Sequence, residues 1–449
     1  MEVELFYDRG TILIKGDVSI PFAVWDDRTS CYRAPAFRYR DIVGYLRRSG
    51  VSFRDRVLDL IPSGSYRFEA SLRDYQVNAY RSWVKSGRRG VVVLPTGSGK
   101  TFIALKAIYD LQAPALIVVP TLPLVEQWFR TVKQYLNVEP GVYGGGKHVL
   151  GSITVSTYDS AYIRAEELGN KFLLVVFDEA HHVAAEGYIQ IAEMLAAPYR
   201  LGLTATFERE DGRHILLFRV LGGVVYRLGP EDLKGRHLAD FKVVRIPVSL
   251  TEEEKTRYEQ IVRTYKKLLK AAGITIRSID DFRRLIMRSG VSKTARKALL
   301  AWNEARKIAI NSESKIDVLR SLLEAHRDEK VIIFTEFNSM AERVSRRFLI
   351  PLITQKTSKV ERQAILEGFR NGRFTKIVTS KVLDEGLDVP DASIAIILGG
   401  TGSKREFIQR LGRILRKKHG KQAILYEVVS SGTAETRISW RRRRAIHSV

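Results

Sequence analysis

The sequence predicts an α/β protein with two parallel-sheet domains, a small N-terminal α+β module and a helical insertion. Three observations lead to that class. Short runs of consecutive apolar residues alternate with helical stretches in two separate parts of the chain. Strands that are apolar throughout are covered on both faces, as in parallel sheets flanked by helices. Between those two parts the strand signal disappears and Lys and Arg crowd the sequence. At 449 residues the chain is also too long for one hydrophobic core.

Residues 1–65 read as a separate module. Leu5-Phe6-Tyr7 and Thr11-Ile12-Leu13-Ile14 flank Asp8-Arg9-Gly10, a hairpin signal. Phe22, Trp25, Tyr32 and Phe37 interleave with Arg28, Arg33, Arg38 and Arg40. Ile42, Val43, Tyr45 and Leu46 then repeat at helical spacing before Gly50, and Pro62-Ser63-Gly64-Ser65 reads as a linker. Residues 66–245 hold buried-strand runs at 91–94, 115–119, 153–155 and 173–177. Residues 246–312 read as helical, opening on Thr251-Glu252-Glu253-Glu254. Over 313–449 the α/β texture returns, with runs at 331–334, 376–379, 394–398 and 424–426. The four arginines at 441–444 read equally as a nucleic-acid contact or a solvated helix end.

The formal charge is +24 and the pI near 10. An excess of that size favours polyanions, with salt-dependent binding through counterion release. A charged thermophile surface would account for many charges but not for their imbalance. Cys31 is the only cysteine, which excludes an intrachain disulfide framework, a four-thiolate zinc site and a cysteine-ligated iron–sulfur cluster. No apolar run approaches the ~18 residues that span a bilayer, so no membrane is expected. The acidic start lacks a signal peptide's basic and apolar pattern, and a cytoplasmic, nucleoid-associated location is the expectation.

Pro95-Thr96-Gly97-Ser98-Gly99-Lys100-Thr101 carries the strongest chemistry. It joins the run 91–94 to the amphipathic stretch starting at Phe102, which is the strand–loop–helix context of a phosphate-binding loop. The glycines let backbone N–H groups surround phosphate oxygens, and the helix N-terminus adds a favourable field. Lys100 would reach the β- and γ-phosphates of ATP, and the Thr101 hydroxyl would hold Mg²⁺. The leading glycine of the standard pattern falls on Leu94. Phe177-Asp178-Glu179-Ala180-His181 ends another buried run, placing two carboxylates at the ligand-binding edge of an open sheet. Asp178 would orient Mg²⁺ and Glu179 would position the attacking water. His181 and His182, adjacent on one turn, are expected to point apart. The glycine stretches at 144–147 and 399–404 lack the helix signature or the Gly-Lys-Thr/Ser ending, and read as a surface turn and a loop near nucleic acid.

The loop 95–101 has the form found in superfamily 2 helicases. Asp178-Glu179-Ala180-His181, Thr204-Ala205-Thr206 and Gln409-Arg410-Leu411-Gly412-Arg413-Ile414-Leu415-Arg416 resemble motifs II, III and VI of that superfamily, in its order. Arg209-Glu210-Asp211, the helical insertion and the N-terminal module make the chain similar to the XPB family in its shorter archaeal form. The resemblance spans essentially the whole chain. It implies two RecA-like helicase domains, with the insertion as a thumb and the first module as a damage- or distortion-recognition domain.

The activity implied is an ATP-dependent, 3′→5′ DNA helicase or translocase in nucleotide excision repair or transcription-linked processes. Arg73 and Gln76 match the adenine-reading segment. Thr204 and Thr206 look like the link between hydrolysis and DNA movement. Gln409, Arg413 and Arg416 match the γ-phosphate sensors of the second domain, able to reach the phosphate only if the domains close. Asp384-Glu385-Gly386-Leu387-Asp388 resembles motif V, with Gly386 and Asp388 facing nucleotide. Thr379, Ser380 and Lys381 would face the nucleic-acid backbone. Thr121, Ser156, Thr157 and Thr335 fit family phosphate contacts and equally fit plain strand capping. Arg209, Glu210 and Asp211 would contact the duplex fork. Forked, single-stranded or distorted DNA is the implied partner, and a separate nuclease is associated with archaeal relatives. A monomer or heterodimer is expected. Two alternatives remain open: a nucleotide-gated DNA clamp without processive unwinding, and an RNA helicase.

Overall fold

The structure, a computed structural model, describes residues 3–209, 211–233, 240–380, 392–399, 422–436 and 439. Two compact units divide the chain, the first built on Met1–Leu233.

The first unit begins with the expected hairpin. Strands β1 (Val3–Asp8) and β2 (Thr11–Lys15) pair antiparallel across Arg9-Gly10, whose φ values of 43° and 86° are those of a two-residue hairpin turn. β3 (Val24–Asp26) and β4 (Cys31–Pro35) extend the sheet beyond β2, and β5 (Phe53–Arg56) joins β1 in parallel, giving the order β3-β4-β2-β1-β5. Leu5, Ile12 and Ile14 face a core closed by Ile42 and Leu46 of helix α1 (Tyr39–Arg48). Ala196, from the next domain, belongs to the same core.

The module is therefore seated on its neighbour. Tyr7 OH donates to the Glu166 and Met194 carbonyls at 3.0 and 3.2 Å. A Cβ on Gly169 would stand 1.6 Å from that hydroxyl, so only glycine fits there. Arg40 donates to the Gly87 carbonyl, and Arg89 Nη2 to the Phe37 carbonyl at 3.3 Å.

The second sheet contains β6 (Arg89–Val93), β7 (Ala115–Val119), β8 (Gly141–Gly144), β9 (Lys147–His148), β10 (Ile153–Thr157), β11 (Leu174–Asp178), β12 (Tyr199–Thr204) and β13 (Val224–Arg227). Their order is β13-β6-β12-β11-β7-β10-β8-β9, parallel except for the β8–β9 hairpin. Helices α2 (Asp74–Lys85), α3 (Lys100–Leu111) and α4 (Leu122–Leu136) belong to this domain, α3 and α4 directly following β6 and β7. Because the strands run the same way, the loop 95–101 and the residues Thr121, Thr157, Asp178 and Thr204 all fall at the C-terminal edge. Arg89 and Asn170, which touch the N-terminal module, precede or start strands at the opposite edge.

In the second unit, β14 (Asp240–Val248), β15 (Val331–Phe334), β16 (Leu352–Ile353), β17 (Lys376–Thr379), β18 (Ile394–Ile397) and β19 (Gln422–Ser430) form a parallel sheet ordered β14-β19-β18-β15-β17-β16. This moves a boundary. The texture of residues 240–245 places them in the first domain, yet β14 pairs along its whole length with β19. A strand's sheet is decided by its partner, here far along the chain.

The insertion folds as three helices, Glu252–Ala271, Ile279–Ser289 and Lys293–Ile310. Thr251 caps the first through a capping box with Glu254. Glu254 then accepts from Ser312 Oγ at 2.8 Å and Glu313 N at 2.9 Å, pinning the start of the insertion to its end. Beneath, the fully buried Lys315 Nζ donates to the Leu398 carbonyl and Glu435 Oε2, both at 2.7 Å.

Arg200 in β12 is buried without exposure. Its guanidinium donates to the carbonyls of Ala197, Ala192, Val220 and Leu195, caps on the ends of the helices Ile189–Met194 and Ile215–Val220. Burial pushes its pKa well below the usual value. Arg200→Ala strands those carbonyls and opens a cavity, each unmet buried acceptor costing about 1–3 kcal/mol. We expect a loss of at least about 3 kcal/mol in urea denaturation; an unchanged midpoint contradicts this account.

Candidate nucleotide-binding and coupling site

In the loop after β6, Gly97 and Gly99 adopt φ of 83° and 73°, conformations that L side chains rarely enter. Gly99 is the N-cap of α3, and a Cβ there would meet Gln76 Nε2 at 2.7 Å. Pro95 starts the loop, with its carbonyl and that of Leu94 accepting from Lys100 Nζ at 3.2 and 3.0 Å. The Thr96 and Ser98 hydroxyls are buried and have no hydrogen-bond partner among the described residues. Thr101 follows in the first turn of α3. Unmet hydroxyls, two left-handed glycines, a lysine and a helix N-terminus fit a polyphosphate, and so fit ATP.

Arg73 and Gln76 lie behind the loop. Gln76 is 3% exposed, and its Nε2 donates to the Ser98 and Gly99 carbonyls at 2.8 and 3.1 Å. Its Oε1 accepts from Arg73 N at 2.9 Å. Tyr75 OH also donates to the Ser98 carbonyl, at 2.5 Å. Both ends of the Gln76 amide thus brace the glycine loop, and an adenine would have to exchange with those bonds. Tyr75 gave no signal in the sequence beyond an aromatic on a helix.

Asp178 ends β11 half-buried, its Oδ1 accepting from Glu179 N at 3.0 Å and its Oδ2 from Trp128 Nε1 at 2.9 Å. Tyr158 OH donates to the Asp178 carbonyl at 3.0 Å. Burial raises the carboxyl pKa, opposed by the Trp128 bond and the nearby charges of Lys100 and His182. Glu179 has φ 47° and ψ 54°, a left-handed conformation costing about 1–3 kcal/mol in a non-glycine residue. Trp128 lies on α4, fifty positions from Asp178, and nothing in the spacing announced it.

Thr204, at the end of β12, joins this turn to the next segment. Its Oγ1 donates to the Thr206 carbonyl at 2.8 Å and accepts from Thr206 N at 3.1 Å. With its only proton so used, it accepts from His181 Nδ1 at 3.0 Å, which assigns that proton to the histidine. Glu179 Oε2 lies 3.5 Å from the same His181 nitrogen. The expectation that the two histidines point apart needs correction. Their ring centroids are 4.4 Å apart and the rings are tilted by 38°, with His182 also against Tyr158, because the two side chains bend toward each other from the 3-10 turn Ala180–His182. Arg209 closes the arrangement: Nη1 donates to the His181 carbonyl at 2.8 Å, while Nε and Nη2 grip Asp211 at 3.0 and 2.7 Å. That fork holds the Asp211 pKa down at about 2.

The hydroxyl sites divide. Thr121 N-caps α4, and its buried hydroxyl has no partner among the described residues. Thr157 caps its own helix, accepting from Ser160 N at 3.2 Å. Ser156 Oγ donates to the Tyr143 carbonyl at 2.8 Å, Thr335 Oγ1 to the Phe337 carbonyl at 3.2 Å and Thr379 Oγ1 to the Ser380 carbonyl at 2.8 Å. Ser380 is buried beside it. Glu210, Lys381, Gly386, Asp388, Gln409, Arg413 and Arg416, and the arginines at 441–444, lie outside the described residues. No cluster of three or more His, Cys, Asp or Glu able to hold a metal occurs among the described residues. Mg²⁺ differs in that it keeps waters and takes one or two protein ligands beside phosphate; Thr101 and Asp178 would be those ligands.

Residues 5–57 match the Xeroderma pigmentosum group B helicase damage recognition domain, 69–209 the type III restriction enzyme res subunit, and 293–447 the ERCC3/RAD25/XPB C-terminal helicase. The chain is 49% identical over 441 residues to the DNA 3′-5′ translocase XPB2 of Sulfurisphaera tokodaii, covering 98% of this chain and 100% of that one. It is 30% identical over 387 residues to the DNA 3′-5′ helicase XPB of Mycobacterium tuberculosis, covering 83% of this chain and 63% of the relative. Among solved structures, the Pyrococcus furiosus Hef helicase domain aligns with a TM-score of 0.54 and 20% identity, over 83% of this chain and 98% of its own. That likeness shows the fold.

Asp178 generates a test. A carboxyl whose folded pKa is raised binds its proton more tightly when folded, so ionisation above the ordinary value of about 4 costs stability. Asp178→Asn cannot titrate, although its amide sets an N–H against one of the two donors, a cost that does not depend on pH. The melting temperature of the metal-free wild type relative to this variant is therefore expected to fall by about 2–4 °C between acid and neutral pH. A difference that stays constant, or grows in favour of wild type as pH rises, contradicts the raised pKa.

Proposed function

The chain belongs to the XPB family of superfamily 2 DNA helicases, and from that premise we propose that it is an ATP-dependent 3′→5′ DNA translocase or helicase. The observation that carries the reading is the convergence, on one sheet edge, of the loop 95–101, the hydrogen-bonded Asp178 and the Thr204–His181 link.

In the proposed cycle, Lys100 leaves the Leu94 and Pro95 carbonyls for the β- and γ-phosphates of ATP, and the Thr96 and Ser98 hydroxyls gain partners. Thr101 and Asp178 would hold Mg²⁺, which when bound neutralises phosphate charge. Glu179 orients the attacking water. The Glu179–His181–Thr204 contacts offer a physical route from that water to the segment bearing Arg209 and Asp211. Gln409, Arg413 and Arg416 are assigned to γ-phosphate sensing and transition-state charge, and Gly386 and Asp388 to the nucleotide side, on the family motifs. An arginine on the transferring phosphoryl group contributes about 10³–10⁵ in rate.

DNA is favoured over RNA by the match of residues 5–57 to a damage recognition domain. In that module Trp25 is half exposed and packs edge-on against Tyr32 at 5.2 Å, a surface on which an unpaired base could stack. Repair or transcription-linked opening of duplex DNA follows, with a partner nuclease and a nucleoid location as parts of the same proposal. No helix among the described residues is long and apolar enough to cross a membrane.

The test is ATPase activity on single-stranded, duplex, forked and lesion-bearing DNA, with matched RNA alongside. Lys100→Ala should lower hydrolysis at least about a hundredfold, with DNA affinity little changed. Normal hydrolysis by that variant overturns the site. Stimulation by RNA but not DNA favours the RNA reading, and no stimulation by any strand sinks the motor.

A further inference from the structure

The indole of Trp128 is the feature that the proposed cycle leaves unexplained. It is 2% exposed in the core of the first α/β domain, a position that phenylalanine or leucine could fill by packing alone. Its N–H is not idle. Nε1 donates to Asp178 Oδ2 at 2.9 Å, while the other oxygen accepts from Glu179 N at 3.0 Å. The backbone bond and the indole bond act on different oxygens of one carboxylate, so together they set its plane. With the indole itself buried, such a charge-assisted bond is strong and directional.

The same helix carries a second unused polar group. Two turns before Trp128, α4 opens at Thr121, whose buried hydroxyl has no partner among the described residues. The fifteen-residue helix α4 thus joins a buried, unmet hydroxyl at its N-terminus to the carboxylate of the acidic pair through one rigid body. Packing of Trp128, Val125, Val132 and Leu136 against the domain core leaves little room for the indole to turn without the helix moving.

We propose that Trp128 is a positioning residue: it orients Asp178 toward the metal–nucleotide and makes that orientation depend on α4, so that a nucleic-acid phosphate held at Thr121 tunes hydrolysis. This rests on the ATPase and DNA assignments above. It adds a named side chain through which the strand-bound segment and the catalytic carboxylate meet.

The experiment uses the full chain with Trp128→Phe, which keeps an aromatic ring and deletes the N–H. Binding of a fluorescent ADP is measured with and without Mg²⁺, and ATPase with and without single-stranded DNA. The expected result is unchanged affinity for metal-free ADP, an Mg²⁺-dependent gain in affinity reduced about tenfold, and weaker stimulation by DNA. A purely structural role would lower both ADP affinities together. Should Trp128→Phe melt well below wild type, benzothienylalanine at 128, with sulfur in place of the N–H in the same ring shape, takes its place. Thr121→Val is expected to reduce DNA stimulation while leaving the Mg²⁺-dependent gain intact. Full Mg²⁺-dependent gain and full DNA stimulation in the folded N–H-deleted protein overturn the inference. A wild-type protein without DNA-stimulated hydrolysis instead overturns the motor assignment, and the Mg²⁺ readout still judges the Trp128–Asp178 bond.

Discussion

Asp178 is a half-buried carboxylate with both oxygens hydrogen-bonded, and the C-terminal sheet edge of the first α/β domain is arranged around the cost of keeping it charged. A carboxylate taken out of water without partners is too costly for a folded domain to bear. Here Trp128 and the Glu179 amide each supply a hydrogen bond, and Lys100 and His182 supply positive charge nearby. The same arrangement explains the left-handed backbone of Glu179. Turning the chain sharply after β11 presents the amide to Asp178 and sends the Glu179 side chain to His181. Strain at one residue is the cost of aiming two carboxylates in different directions.

Other buried charges in the molecule are satisfied differently, and each solution has a structural consequence. Arg200 meets backbone carbonyls at the ends of two helices, and so holds β12 against the layer beside it. In the second unit Lys315 meets Glu435 and the Leu398 carbonyl, tying the ends of β18 and β19 to the helix Glu313–Ala325. Leu398 lies just before the stretch that leads in sequence to Gln409. Breaking such pairs costs more than their formation gains, because the survivor is left charged and unpaired. The N-terminal module, by contrast, is seated with Tyr7, Arg40 and Arg89 hydrogen-bonded to main-chain carbonyls, at the strand edge opposite the glycine loop.

Much was legible in advance where the physics is local. The loop 95–101 could be read because strand, glycines, lysine and helix are consecutive, and the left-handed φ of Gly97 and Gly99 is what those glycines allow. The capping box at Thr251 and the hairpin at Arg9-Gly10 are local in the same sense. The match failed where a partner lies far along the chain. Residues 240–248 carry the same texture whether they join the first sheet or the second, and only the pairing with β19 decided. Ser156, Thr335 and Thr379 look alike as strand-end hydroxyls, yet each bonds a main-chain carbonyl, and Thr121 alone of the proposed contacts has a buried hydroxyl without a partner among the described residues.

By itself, the sequence determined two α/β sheets, a loop of phosphate-binding form and an excess of positive charge, since periodicity, turn chemistry and net charge are written in neighbouring residues, and its motifs resembled those of superfamily 2 helicases. It also placed the acidic pair at a strand end. Only the tertiary structure decided what holds that pair. Trp128, Tyr158, Arg209 and Gln76 reach Asp178, its turn and the glycine loop from elements separated by tens of residues. The orientation of a hydrogen-bonded carboxylate is a property of everything packed around it, and no local pattern encodes those partners.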